Sequence, residues 1–203
     1  MKKLLIATTN PGKMAEIKRY LSDLPITLVG LKDVGITEKV EETGQTFEEN
    51  AMLKAKFYAN LSGLPTIGDD GGLEIAALGG APGVKSHRWI HGDREDSDEE
   101  LIAHTIKEMQ EIPIERRQAQ LRAVLALALP DGKVVTAEAA TKGMIPLEAG
   151  THRTEGFPYR SLLFIPEIHK FYDHSLLTPE ENDRYNHRKI ALSKLKPILQ
   201  KYL

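Results

Sequence analysis

The chain has 203 residues, enough for one domain, or one domain split into two lobes, with a full buried core. Its 27 Lys and Arg nearly balance 29 Asp and Glu, and the pI is about 6.4. No long-range pull toward nucleic acid or anionic lipid follows, although a small anion held by local lysines remains possible. With no cysteine, disulfides, thiol nucleophiles and Cys-based zinc or iron–sulfur centres are excluded.

The opening MKKLLIATTNPGK has the basic start of an export signal, but its apolar run covers only residues 4–7. That is too short, and no other run approaches a membrane span, so a cytoplasmic protein without a membrane partner is expected. Residues 4–7 read as a buried strand ending in a polar turn. Residues 13–24 then place Met14, Ile17, Leu21 and Leu24 at helical spacing, with Pro11 and Gly12 suited to the entry. Residues 26–30 fit a second strand. Residues 46–62 form the strongest helical pattern, opened by a Thr46/Glu49 capping box and stopped by Gly63 and Pro65.

Thr66-Ile67 then begins a strand that runs into Gly68-Asp69-Asp70-Gly71-Gly72, read as an acidic loop at the strand end. Residues 79–89 are glycine- and proline-punctuated, hence loop or tight turn. Residues 97–111 predict a capped acidic helix. In residues 118–129, Leu121, Ala123, Leu125, Leu127 and Leu129 share one face under period-2 alternation, and the PDGK turn at 130–133 favours a hairpin. Residues 187–202 predict a closing helix interrupted late by Pro197. No repeat, linker or low-complexity tract divides the chain, so residues 1–203 are expected to form one α/β domain.

Four segments place charged or amide side chains beside glycine, proline or a helix end. In TTNPGK (8–13), Thr8, Asn10 and Lys13 stand at a strand-to-helix junction, where backbone N–H groups suit a phosphate. The Walker A spacing is absent, and a plain turn with a surface lysine explains the same residues. EETG (41–44) offers a carboxylate for a metal, or simply solvated charge. Lys54 shares a helix face with Asn50 and could reach a phosphate, although most helix lysines are solvated. Asp69 and Asp70 could bind a hard cation through oxygen and polarise a water, or merely form an acidic turn. Taken together, a phosphate loop and a hard-cation site point to a magnesium nucleotide. Later, Phe157 or Tyr159 could stack on a base, or Gly-Phe-Pro-Tyr could equally form a buried corner, and His187 and Arg188 open the last helix, where they could face a ligand or simply solvent. The remaining histidines lack zinc-binding spacing.

The stretches ATTNPGKMAEI, EETGQTFEENAMLKA, LPTIGDDGGLEIAALGGAPGVKSHRW, GMI (143–145), GFPY and NHRKIAL resemble, in this order and nearly end to end, the inosine triphosphate pyrophosphatases. The resemblance implies an elongated mixed β-sheet with flanking helices, two lobes around a nucleotide cleft, and a homodimer. It also implies Mg²⁺-dependent hydrolysis of ITP, XTP or dITP to the monophosphate and pyrophosphate. By the same resemblance Thr8, Asn10 and Lys13 hold phosphates, as does Lys54. Glu42 and Asp70 bind the metal, and Asp70, supported by Asp69, activates water. Phe157 stacks on the base, which His187 and Arg188 contact.

Departures concentrate in the base-reading half. Gly71 stands where the family usually has serine. GFPYRS, with Pro158 and Arg160, replaces GFGYDP, so Arg160 reverses the charge of a base-reading aspartate. Asn182 replaces a common lysine, and Asn186 opens NHR where the family has SHR. Three readings therefore stay open: the family reaction, the same reaction on another or modified base, and a non-catalytic nucleotide-binding module.

Overall fold

A computed structural model describes residues 2–202. Its elements run β1 (Lys2–Ala7), α1 (Pro11–Tyr20), β2 (Ile26–Gly30), α2 (Phe47–Ser62), β3 (Thr66–Ile75), α3 (Asp98–Glu108), β4 (Gln118–Ala128), β5 (Val134–Met144), β6 (Phe164–Ile165), β7 (Lys170–Phe171), α4 (Pro179–Tyr185) and α5 (His187–Tyr202). The strands form one mixed sheet in the order β2-β1-β3-β4-β5-β6-β7, with β1 parallel to β2 and β3 and with β5, β6 and β7 antiparallel.

Three expectations change. The acidic stretch is not a loop: β3 continues through Asp69, Asp70 and both glycines to Ile75. Residues read as turn-formers from composition are held extended by sheet pairing, a tertiary override of weak local preference. The first helix starts at Pro11 and its cap is Leu21, whose N–H donates to the Ile17 carbonyl. Pro197 lies inside α5, which runs on to Tyr202.

Chain packing divides into two units. The first comprises Met1–Asp70, Ala123–Ala139 and His187–Leu203; the second comprises Gly71–Arg122 and Ala140–Asn186. In the first, the alternation of β4 is spent on two different helical layers. Leu125, Leu127 and Leu129 join Leu4, Ile6 and Ile67 against Ile17 and Leu21 of α1 and Ala191, Leu192, Leu195 and Leu199 of α5. Val124, Ala126 and Ala128 meet Phe47, Ala51, Ala55 and Ala59 of α2. Small residues on both sides let α2 lie close, and on β3 Gly68 lies directly against the backbone of α2. A Cβ there would stand 2.3 Å from the Ala51 carbonyl oxygen and 2.7 Å from the Ala55 nitrogen. Both are backbone atoms, so a side chain at 68 would force helix and strand apart.

The second unit builds its core from Leu73 and Ile75 of β3, Leu101 and Ile102 of α3, Ile145, Leu162, Leu163, Ile165 and Tyr172. Arg117 is buried in it and donates to the carbonyls of Met109, Ile112 and Pro146. Cation and carbonyls at the end of α3 are a favourable pairing with the helix dipole. Among the described residues, no helix is long and apolar enough to cross a membrane.

Candidate active site

Parallel pairing aligns Leu5 with Thr66, Ile6 with Ile67 and Ala7 with Gly68. One step further along each chain stand Thr8 and Asp69, so the register itself brings the polar loop beside the acids. Thr8 Oγ1 accepts the Asn10 N–H, and Asn10 Oδ1 accepts the Lys13 N–H, capping α1 with Pro11 at its first position. The loop is thus preorganised by its own side chains.

Two lysines reach the acids from different helices. Lys13 Nζ lies 2.8 Å from Asp69 Oδ1. Lys54 projects from α2, at the turn that Gly68 allows to approach. Its Nζ lies 2.7 Å from Glu42 Oε2, 3.0 Å from Asp70 Oδ1 and 3.1 Å from the Asp69 carbonyl oxygen. Lys54 is 9% exposed, so it is no solvated helix lysine. Burial pulls its ammonium down, but the Asp70 and Glu42 carboxylates outweigh it and the pKa rises above the ordinary lysine value.

The two adjacent aspartates differ sharply. Asp69 is fully buried, yet the Arg188 guanidinium and the Lys13 ammonium hold its carboxyl far below the usual range despite desolvation. Burial pushes the Asp70 carboxyl upward; Lys54 and Lys13 oppose this, and Glu42 reinforces it. One stays firmly ionised, the other has raised proton affinity, a separation typical of acid–base roles.

Arg188, at the start of α5, donates from Nε to Asp69 Oδ2 and from Nη1 to Glu16 Oε2, each at 2.6 Å. Glu16 is buried on α1 and was not singled out from the sequence. The signal was there: Lys13 and Glu16 are three residues apart, hence neighbours on one helix face. Glu16, Arg188, Asp69 and Lys13 form an alternating chain of charges across three elements. His187 beside Arg188 is also buried.

The other expected site residues lie in the second unit. The Arg160 guanidinium carbon sits 3.7 Å from the centroid of the Phe157 ring, so a cation covers one ring face. Arg160 Nη1 is 2.9 Å from His174 Nδ1 and 3.8 Å from Asp173 Oδ2. Asp173, another buried acid that the sequence did not single out, accepts the Ser175 N–H at 2.9 Å, the Ser175 hydroxyl at 2.7 Å and the Thr154 hydroxyl. Desolvation opposes ionisation, but those hydrogen bonds and Arg160 hold the carboxyl below its ordinary value. Tyr159 is buried and donates its hydroxyl to the Ser86 carbonyl, with burial pushing the phenol pKa up. The Asn182 amide donates to the carbonyls of His174, Leu177 and Thr178, and Asn186 caps α4. Gly71 follows Asp70 directly in β3.

Among the described residues, no group of three or more His, Asp or Glu side chains is arranged to hold a metal. Glu42 and Asp70 do converge on a single ammonium. Two hard carboxylates plus ligand phosphate oxygens and water match what Mg²⁺ usually takes from protein, so these residues fit a divalent ion.

The sequence profile of the Ham1 family matches residues 4–198. This chain belongs to the Ham1 family. It is 43% identical over 193 residues to a dITP/XTP pyrophosphatase of Thermus thermophilus, covering 95% of this chain and 89% of that one. It is 41% identical over 199 residues to the Geobacter sulfurreducens protein of the same name, covering 98% and 97%. A HAM1 protein from Coxiella burnetii superposes with a TM-score of 0.84 at 31% identity, covering 99% of this chain and 100% of that one. Ham1 membership accounts for the seven-stranded mixed sheet with flanking helices described above.

Proposed function

We propose that this Ham1 protein hydrolyses non-canonical purine nucleoside triphosphates, dITP, XTP and ITP, to the monophosphate and pyrophosphate. Relatives at 36–43% identity carry the name dITP/XTP pyrophosphatase. The observation that carries the reading is the convergence of Lys13, Lys54, Glu42, Asp69 and Asp70 beside a capped helix N-terminus.

The roles follow from charge. Thr8, Asn10 and the first turn of α1 receive phosphate oxygens, with the ammonium groups of Lys13 and Lys54 beside them. Glu42 and Asp70 would hold a Mg²⁺ ion, which would offset phosphate charge and lower the pKa of a water. Asp70, its proton affinity raised by burial, takes the proton of the attacking water. Water is consumed across the α–β anhydride, and pyrophosphate leaves. Asp69, locked ionised by Arg188, positions Lys13. Phe157, Tyr159, Arg160 and Gly71 of the second unit are assigned to the nucleoside side, as are His187 and Arg188 at the start of α5 in the first; Arg188 also holds Asp69. Residues 1–203 act as one enzyme domain, as a homodimer in the cytoplasm.

A second reading, the same reaction on another or modified base, is favoured by one observation: Arg160 covers a face of Phe157. Pyrophosphate release from ITP, XTP, dITP, ATP, GTP, CTP, UTP and TTP, with and without Mg²⁺, decides between them. Mg²⁺-dependent preference for ITP, XTP and dITP supports the first reading. Preference for another base supports the second, and no turnover of any leaves a nucleotide-binding module. Sedimentation at a mass other than twice the 22.6 kDa chain would refute the dimer.

A further inference from the structure

Lys54 is held by three oxygens at once, from Glu42, Asp70 and the Asp69 carbonyl, and two of them belong to the carboxylates assigned to the metal. Asp70 and Lys54 are both at most 9% exposed. Without a cation between them, the buried Asp70 carboxylate and the half-exposed Glu42 carboxylate would repel each other, and the ammonium offsets that cost, most of it at Asp70. A divalent ion drawing on the same two carboxylates competes directly with the ammonium, and the two positive charges repel strongly in a poorly solvated setting. The ammonium can leave only if another anion receives it.

Lys13 provides the contrast. Its ammonium lies against Asp69, which Arg188 also neutralises, so an ion bound by Glu42 and Asp70 does not require Lys13 to move.

We infer that Lys54 is a resident placeholder for the divalent ion: it holds Glu42 and Asp70 together in the cation-free protein and is handed to a substrate phosphate oxygen as the ion arrives. This rests on the proposed function and makes metal and nucleotide binding cooperative. An ion alone must strip a buried ammonium of its partners; an ion with a triphosphate supplies the replacement partner. By linkage, each ligand then raises the affinity of the other by the same factor.

The test is a titration of nucleotide-free protein with Mn²⁺, free ion being read by its paramagnetic resonance signal. Lys54→Met and Lys54→Gln are each expected to bind Mn²⁺ about tenfold or more tightly than the unmodified chain, and Lys13→Met to show no comparable gain. Thermal melting of each variant identifies any that fails to fold; the glutamine variant keeps an uncharged hydrogen-bonding end group if the methionine variant is lost. Equal or weaker binding in a folded Lys54 variant, undetectable binding, or the same gain in Lys13→Met would overturn the inference. The readout is separate from turnover: an active protein whose Lys54 variants gain no Mn²⁺ affinity sinks only the placeholder. A gain without any triphosphate turnover by the unmodified chain sinks only the proposed reaction.

Discussion

The two units each bury a cluster of charges, and they do so by different means. In the first, Glu16, Arg188, Asp69 and Lys13 alternate in sign, Lys54 lies between Asp70 and Glu42, and α1, α2, α5 and β3 each contribute. In the second, one buried guanidinium, Arg160, is shared among an aromatic face, a histidine nitrogen and one carboxylate held by hydroxyls. Phosphate chemistry is the same for every nucleotide, so the first cluster serves any substrate of the class. A base is distinguished by a few donors and acceptors, and a cluster centred on one side chain can be retuned by changing that residue.

The largest break is expected in the first unit. Asp70→Asn removes the proton acceptor and one metal ligand while keeping the shape, and turnover should fall by about 10²–10⁴-fold or more. Pyrophosphate release at saturating substrate checks it, with an unchanged far-ultraviolet dichroism spectrum to show the fold survives. If turnover is retained, Asp70 is not the base.

Arg188→Met should act on stability as well as rate. It leaves the buried carboxylates of Asp69 and Glu16 without their shared partner, which costs about 3–5 kcal/mol. Urea denaturation reads the loss, and a cost below 1 kcal/mol would mean that Glu16 and Asp69 relax or protonate readily. Gly68→Ala comes next: the added methyl meets backbone of α2 on one side, and overpacking of this kind costs about 1–3 kcal/mol. Because Lys54 rides on the same turn of α2, KM should rise in the folded variant.

In the second unit, Arg160→Leu should change the ranking of bases while leaving inhibition by inorganic tripolyphosphate unaltered. A cation–π contact of about 0.5–2 kcal/mol sets the scale, so selectivity ratios should move by roughly 2- to 30-fold. Parallel losses for every base would show that Arg160 is structural.

The smallest effect concerns pH. The folded Asp173 carboxyl titrates below its ordinary value of 3.8. Its contribution is therefore complete above the unfolded value and disappears as pH falls through the lower folded one. Asp173→Asn should weaken the chain at pH 6 and approach the unmodified chain as the pH falls below the ordinary carboxylate value of 3.8, as read by urea midpoints. A difference that grows on acidification would reverse the assigned sign.

Much of this protein was legible one segment at a time. The Thr46/Glu49 capping box, the leucine alternation of β4 and the polar loop after β1 are local patterns, and each formed where short-range chemistry put it. The acid pair beside glycine also announced a site, together with the resemblance that named its relatives. What the sequence could not express was partnership between distant positions. Lys54 reads as an ordinary helix lysine, and becomes a buried bridge only because Gly68 admits α2 against β3. Asp69 and Asp70 are identical neighbours, yet the pleat sends their side chains to opposite faces. One meets Arg188, 119 residues away in the chain, and the other meets Lys54. Glu16 and Asp173 went unremarked for the same reason, since a carboxylate gains its role from the cation opposite it, and only the folded chain decides which cation that is.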